Sequence, residues 1–266
     1  MRIKLTLEPL HRDAALSFNY NYSFSSMIYQ KLAESSPDYA SFLHEDGYTT
    51  GKKKFKYFTF SRPWVARQQV RNGRIYILSG PVFWQITSPV DDFLNNFVNG
   101  LFQQPLLTLA DSEVTARFRL IEVETLPTPQ LSDHTSFICL SPITVAAKEE
   151  VNGQPRKLYV RADDTRFGEL INRNLLEKYC ALYGREPQQS QLEFAFDEDY
   201  IVRRGGVERI SKLIRFKGID IRGYFAPFTV RGSKELIRLG YECGFGNANS
   251  QGFGMAAFPN IGAEEH

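Results

Sequence analysis

The spacing of apolar positions changes several times along the chain, and each change marks an element. "RIKLTLEP" (2–9) alternates Ile3, Leu5 and Leu7 with polar neighbours, the period of a strand with one buried face. "SFSSMIYQKLAES" (23–35) shifts to helical spacing, with Phe24, Met27, Ile28 and Leu32 on one side. A second helix is predicted in "SSPDYASFLHEDG" (35–47), where Ser36 caps, Pro37 suits the first turn and Gly47 the stop. "FKYFTFS" (55–61) reads as one strand, and "RIYILSGPVFWQI" (74–86) as two short strands around Ser79-Gly80-Pro81. "DDFLNNFVNGLFQ" (91–103) returns to helical spacing, and "SEVTARFRLIEVE" (112–124) closes the unit as a strand.

A Pro-rich polar stretch, "ETLPTPQLSDH", follows and reads as a linker. The order then begins again. A strand is expected in "SFICLSPITV" and the longest helix in "DTRFGELINRNLLEKYCALYG". Strands are expected in "QLEFAF", "RISKLIRFKG" and "GIDIRGYFAPFTV". A short helix, "SKELIRLGY", takes Ser233 as its cap, and "GMAAF" is a last strand. Two runs of strand, helix, strands, helix, strand predict an α+β chain of two tandem ferredoxin-like (RRM-like) domains. The expected domains are 1–124 and 136–266, joined by a linker over 125–135.

Composition changes this picture little. The chain has 266 residues, 42% hydrophobic and 14% aromatic, with a net charge of +2. Charge distribution changes it more. Residues 51–74 hold Lys52, Lys53, Lys54, Lys56, Arg62, Arg67, Arg71 and Arg74 with no acid. Residues 203–231 hold Arg203, Arg204, Arg209, Lys212, Arg215, Lys217, Arg222 and Arg231 against Glu208 and Asp220. Such segregation suits a protein that holds phosphates on one side. Cys139, Cys180 and Cys243 are far apart, so a zinc site or disulfide framework is not indicated. The N-terminus has no signal-peptide pattern and no stretch approaches a membrane span, so a cytoplasmic protein is expected. The histidines, His11, His44, His134 and His266, show no metal-ligand spacing; no metal and no cofactor are expected.

"GYECGFGNANSQGFGM" (240–255) lacks the following helix of a dinucleotide fingerprint and the Gly-Lys of a Walker loop. Its glycines are expected to let backbone N–H groups approach a phosphate, with Phe245 and Phe253 as anchors. His44, at the end of a short helix, is placed to donate a proton to a leaving oxygen. With Tyr29 and Lys56 it makes a metal-free RNA-cleaving set: one group takes the 2′-OH proton, one protonates the 5′-oxygen, one stabilises the phosphorane. Pairing of His44 with His11 or His134 is a weaker alternative.

The motif Gly-hydrophobic-Gly, five residues, Gly-hydrophobic-Gly at 244–254 resembles the signature of the CRISPR-associated repeat-RNA endoribonucleases of the RAMP superfamily. "FNYNYSFSSMIYQKL", "FLHEDG", "KYFTFS" and "LSPITV" are similar to further blocks of that family, in the same order. The resemblance implies His44 as the catalytic histidine, Tyr29 as the helix tyrosine with a general-base role, and Lys56 as the lysine before the strand. It implies metal-independent transesterification of CRISPR precursor transcripts, giving crRNA with 2′,3′-cyclic phosphate (or 3′-phosphate) and 5′-OH ends. The partner it implies is repeat RNA, with other CRISPR-complex subunits or a homodimer as further options. The alternative is a non-catalytic repeat-RNA-binding subunit or scaffold. The expected RNA surface comprises Lys52, Lys53 and Lys54, the basic residues of 203–231, and Gly244, Gly246, Asn249, Ser250, Gly252 and Gly254.

Overall fold

A computed structural model describes residues 1–259 apart from Lys52, Glu113 and Asn152. The first half runs β1 (Arg2–Pro9), β2 (Ala15–Ser17), α1 (Tyr20–Ser35), α2 (Pro37–Glu45), β3 (Tyr48–Thr50), β4 (Lys53–Phe55), β5 (Thr59–Phe60), β6 (Trp64–Arg71), β7 (Arg74–Thr87), α3 (Asp91–Gln103), β8 (Leu106–Ala110) and β9 (Thr115–Leu126). The second runs β10 (His134–Cys139), β11 (Ala146–Val151), β12 (Gln154–Tyr159), α4 (Arg166–Tyr183), β13 (Leu192–Phe196), α5 (Glu198–Arg203), α6 (Val207–Ile210), β14 (Ser211–Phe216), β15 (Ile219–Tyr224), β16 (Phe228–Gly232), α7 (Lys234–Cys243) and β17 (Ala256–Ala257). The connection between the last strand of the first half and the first of the second covers 127–133.

Both halves have the same strand order. In the first, β9, β1, β7 and β6 are neighbours; in the second, β17, β10, β16 and β13 are. Counted along each unit, both read 4-1-3-2 and both are antiparallel, the ferredoxin-like arrangement expected from the repeat. Strands β2, β5 and β8 extend the first sheet, and the other elements are insertions: α2 with the β3–β4 hairpin in the first unit, the β11–β12 and β14–β15 hairpins with α5 and α6 in the second.

Strand alternation sets the layers. Ile3, Leu5 and Leu7 of β1 are buried under α1 and α3, whereas Arg2, Lys4 and Thr6 point to the opposite, open face. Trp84 of β7 stacks on Phe24 of α1 at 4.8 Å, and Phe58 on Phe93 of α3 at 4.5 Å. Helices α1 and α3 touch at Gly100, where an added Cβ would lie 1.8 Å from the Lys31 carbonyl oxygen. Phe137, Phe228 and Phe245 centre the second core.

Several expected elements differ. "FKYFTFS" is not one strand: Tyr57 takes a φ of 47° and separates β4 from β5. "RIYILSGPVFWQI" is one strand, β7, because Gly80 (φ +85°) absorbs the irregularity where the register with β6 shifts. The strand expected in "SFICLSPITV" ends at Cys139. "RISKLIRFKG" starts inside α6, so Arg203, Arg204 and Arg209 lie on and beside short helices and not on basic strands.

Candidate active site

Helix α2 exists to present its last turn. The Ser36 side chain accepts from the Tyr39 N–H at 3.3 Å, Pro37 opens the helix, and Asp38 sits in the first turn. Ala40 and Leu43 are buried against the core, which turns the next residue, His44, outward. Gly47, with φ +60°, donates its N–H to the Phe42 carbonyl at 2.7 Å and ends the helix.

Three elements converge there. The Tyr29 ring of α1 meets the His44 ring edge-on, centroids 5.4 Å apart at 85°. Lys56, between β4 and β5, donates to the His44 carbonyl at 3.1 Å and stands 5.0 Å from the centre of the Tyr29 ring. Lys54 donates to the Glu45 carbonyl at 2.6 Å, so two ammonium groups cap the C-terminus of α2. The Tyr29 hydroxyl is buried without a hydrogen-bond partner, and burial raises its pKa above the ordinary phenol value. A raised phenol keeps its proton, which opposes the general-base role expected of Tyr29. Burial, then the charges of Lys217 and Lys54, lower the pKa of Lys56.

Lys217 is the link to the second basic window. It lies in the β14–β15 turn and packs over the ring of Tyr22, 5.6 Å from its centre; Tyr22 also meets Phe216 edge-on at 5.7 Å. Tyr22 and Tyr29 are seven residues apart on α1, about 10 Å along its axis. From Lys217 a cleft of about 1550 Å³ opens between the two halves. Arg204, Arg209, Lys212, Arg215 and Lys217 line it, together with Arg62, Tyr20, Tyr22, Trp64 and Phe225. His44, Tyr29 and Lys56 are not part of its lining; Lys217, which is, acts on Lys56 through its charge.

The other sequence-predicted residues are dispersed. Arg203 and Arg231 are exposed away from the cleft lining. Arg222 bonds Ser211 at 2.8 Å and faces Glu208, and Lys53 pairs with Glu177 of α4 at 2.5 Å. His11 lies in the turn after β1 and His134 opens β10, both apart from the Tyr29–His44–Lys56 group. Lys52 and His266 lie outside the described residues. The cleft aromatics were missed because each reads as an ordinary core residue; Arg62 stood in the 51–74 basic window without a role of its own.

The glycine segment departs most from expectation. Five of its N–H groups are engaged within the protein: Gly244 to Gly240 O, Phe245 to Gly254 O, Asn247 to Thr144 O, Gly252 to Asn249 O and Gly254 to Pro142 O. Phe245, Phe253 and Gly244, Gly246, Gly252 and Gly254 are all buried. The expected cradle of free N–H groups is therefore corrected at Gly244, Gly252 and Gly254, whose N–H groups are already bonded. The loop is a wedge between the halves. Asn21 of α1 donates to Gln251 O (2.7 Å) and Gly252 O (3.1 Å), Ser25 to Ser250 O, and Thr59 of β5 to Phe253 O (2.8 Å). From the other side Lys178 of α4, buried, donates to Gly244 O, Gly246 O and Asn249 Oδ1 at 2.7–3.0 Å. Asn249 in turn donates to Phe245 O and Phe253 O. Each buried Phe contributes about 2–3 kcal/mol, which offsets the roughly 0.5–1 kcal/mol entropic cost of each neighbouring glycine.

Arg2 makes a second bridge between the halves. Its guanidinium donates to Tyr241 O (3.1 Å) and Ala256 O (2.8 Å) and lies over the Tyr241 ring at 4.0 Å. Burial pulls its pKa down to about 10, which leaves it cationic at neutral pH. Among the described residues no helix is long and apolar enough to cross a membrane.

The similarities to known proteins agree with this geometry. Residues 15–120 match the family described as "CRISPR-associated protein Cas6, N-terminal", and 126–258 match "CRISPR associated protein Cas6, C-terminal". The chain is 31% identical, over 96% of its length and 91% of the relative's, to "CRISPR-associated endoribonuclease Cas6 1" of Methanocaldococcus jannaschii. A solved structure described as "Characterization of a Cas6-related gene from Pyrococcus furiosus" superposes with a TM-score of 0.82 at 25% identity, covering 97% of each chain. Another, "An RAMP protein binding different RNA substrates", gives 0.80 at 25% identity over 96% of this chain and 98% of that one. The chain belongs to the Cas6 family of CRISPR-associated proteins.

Proposed function

We propose that this chain is a metal-independent endoribonuclease that cuts CRISPR precursor transcripts within their repeats, in the cytoplasm, and so matures crRNA. The observation that carries the reading is the meeting of Tyr29, His44 and Lys56, with Lys56 within the electrostatic reach of Lys217, which lines a basic, aromatic-lined cleft. The single-stranded RNA enters along Arg204, Arg209, Lys212 and Arg215 and passes Lys217 to reach His44. There the 2′-oxygen attacks its own phosphorus and gives its proton to solvent. The bond from phosphorus to the 5′-oxygen breaks, and that oxygen takes a proton from His44. The Lys56 ammonium offsets the charge gathering on the phosphorane, and the neutral Tyr29 hydroxyl, without a protein partner, is a donor for a phosphate oxygen. The products are a 2′,3′-cyclic phosphate and a 5′-OH.

Cleavage of the repeat RNA of the same genome should proceed in EDTA. His44→Ala should lose cutting by two orders of magnitude or more, the scale of a general acid, and keep RNA affinity. EDTA-sensitive cutting, or an active His44→Ala variant, rules the mechanism out. Binding with no product from wild type would favour the non-catalytic RNA-binding subunit.

A further inference from the structure

The open face of the first sheet carries an aromatic pair that the cleavage chemistry leaves unused. Lys4 and Thr6 of β1 pair with Gln85 and Phe83 of β7, and Phe83 pairs with Trp64 of β6, so these side chains share the face away from α1 and α3. Trp64 and Phe83 are half-buried, with ring centroids 5.3 Å apart at 37°. The Lys4 ammonium stands 5.1 Å from the Phe83 ring centre and 3.6 Å from Glu124.

We propose that Trp64 and Phe83 form a stacking platform for unpaired nucleobases of the bound RNA, continuing the path of the cleft onto the open sheet. The inference rests on the RNA-cleaving reading above. Two observations choose RNA as the occupant. First, the platform is continuous with the cleft, because Trp64 lines it together with Arg62, Lys212 and Lys217. Second, positive charge stands beside the pair. Arg62 and Arg67 flank Trp64 in the sequence, and the Lys4 ammonium, paired with Glu124, lies over Phe83. On β9, Glu122 and Glu124 are accompanied by Arg117 and Arg119, the latter against Glu8. A phosphate backbone is drawn to the β6 side. Phe83 also stands on the third strand of a ferredoxin-like sheet, where RRM domains place a base-stacking aromatic. At the other end of β1 the open face is closed by the second half, through Arg2, which confines the platform to the Trp64–Phe83 end.

Tryptophan fluorescence reads this directly. The chain has two tryptophans, and Trp84 is fully buried with its indole N–H on Ser61 O. Titration with the CRISPR repeat RNA of the same genome should quench wild type and Trp84→Phe but leave Trp64→Phe unquenched. The same RNA annealed to its complement should quench none of them. The double variant Trp64→Leu, Phe83→Leu should bind about 10- to 100-fold more weakly, with the slope of log affinity against log salt unchanged, since no charge is removed. The proposal is overturned if RNA binds and is cut without quenching Trp64, or if the double variant binds as wild type does. Failure of wild type to bind the repeat RNA at all has a different signature: it removes the RNA reading and the platform together.

Discussion

Tyr29 is held neutral by the same packing that brings it to His44. Burial raises its folded pKa, which favours the protonated phenol and counts against a base role toward the 2′-OH. Tyr29→Phe keeps the ring contacts with His44 and Lys56. It should therefore leave the shape of the single-turnover pH–rate profile unchanged and cost less than the roughly 10²-fold of a lost general base; loss of the alkaline limb would return that role to Tyr29. Lys178 is a buried ammonium that donates to two backbone carbonyls and one side-chain amide oxygen. Lys178→Met fits the stem but leaves three buried acceptors unpaired, at about 1–3 kcal/mol each. A fall of at least about 3 kcal/mol in stability is expected from urea denaturation, and a change within about 0.5 kcal/mol would contradict the bonding. His44, Tyr29 and Lys56 were legible because each sits at a recognisable place on a helix or before a strand. Lys178 was not, since a lysine in an amphipathic helix looks like a solvent-facing charge until its carbonyl partners, 66 to 71 residues away, are in place.

Among elements, the glycine loop has the least tolerance. Gly252 has φ +80°, and a Cβ there would lie 2.3 Å from the Phe60 ring and 2.7 Å from the Asn21 amide nitrogen. Gly252→Ala should push the loop off β5 and α1, lowering the melting temperature by several degrees and weakening RNA binding. A Gly252→Ala variant that melts and binds like wild type, yet cannot cut, would place the loop in the chemistry instead. The sequence pattern found α1, α2, α3, α4 and α7 because each has a continuous apolar stripe. It missed β6, whose "WVARQQVR" buries only Val65, and α5 and α6, which are too short to show a period. It split β7 at Gly80, where the bulge breaks local alternation but not the pairing. The motif at 244–254 was visible; its engagement with α1 and β5 was not, because the partners are backbone carbonyls, which any residue supplies.

At the scale of the whole molecule, the repeat of strand order was legible and the cleft was not. Two 4-1-3-2 sheets follow from two successive patterns, but their mutual placement depends on scattered contacts: Arg2 on α7 and β17, Thr59 on Phe253 O, and the Arg62 N–H on Leu140 O. That placement gathers Arg204, Arg209, Lys212, Arg215 and Lys217 on one wall. Binding of repeat RNA should therefore fall steeply with salt, and Lys212→Ala and Lys217→Ala should each reduce the slope of log affinity against log salt by roughly one. A slope identical to wild type in both variants would move the RNA off this wall.

The Arg2 bridge has a consequence for biosynthesis. Arg2 is made well before one of its acceptors, Ala256 O, which lies 254 positions later. The first sheet can pair β1 with β7 and β9 during translation while that guanidinium still waits in water. The wedge at 244–254 and strand β17 are made after every element they join. The nascent protein therefore passes through a stage in which the first sheet is paired while the second sheet still lacks its last strand, and the cleft between the halves forms late.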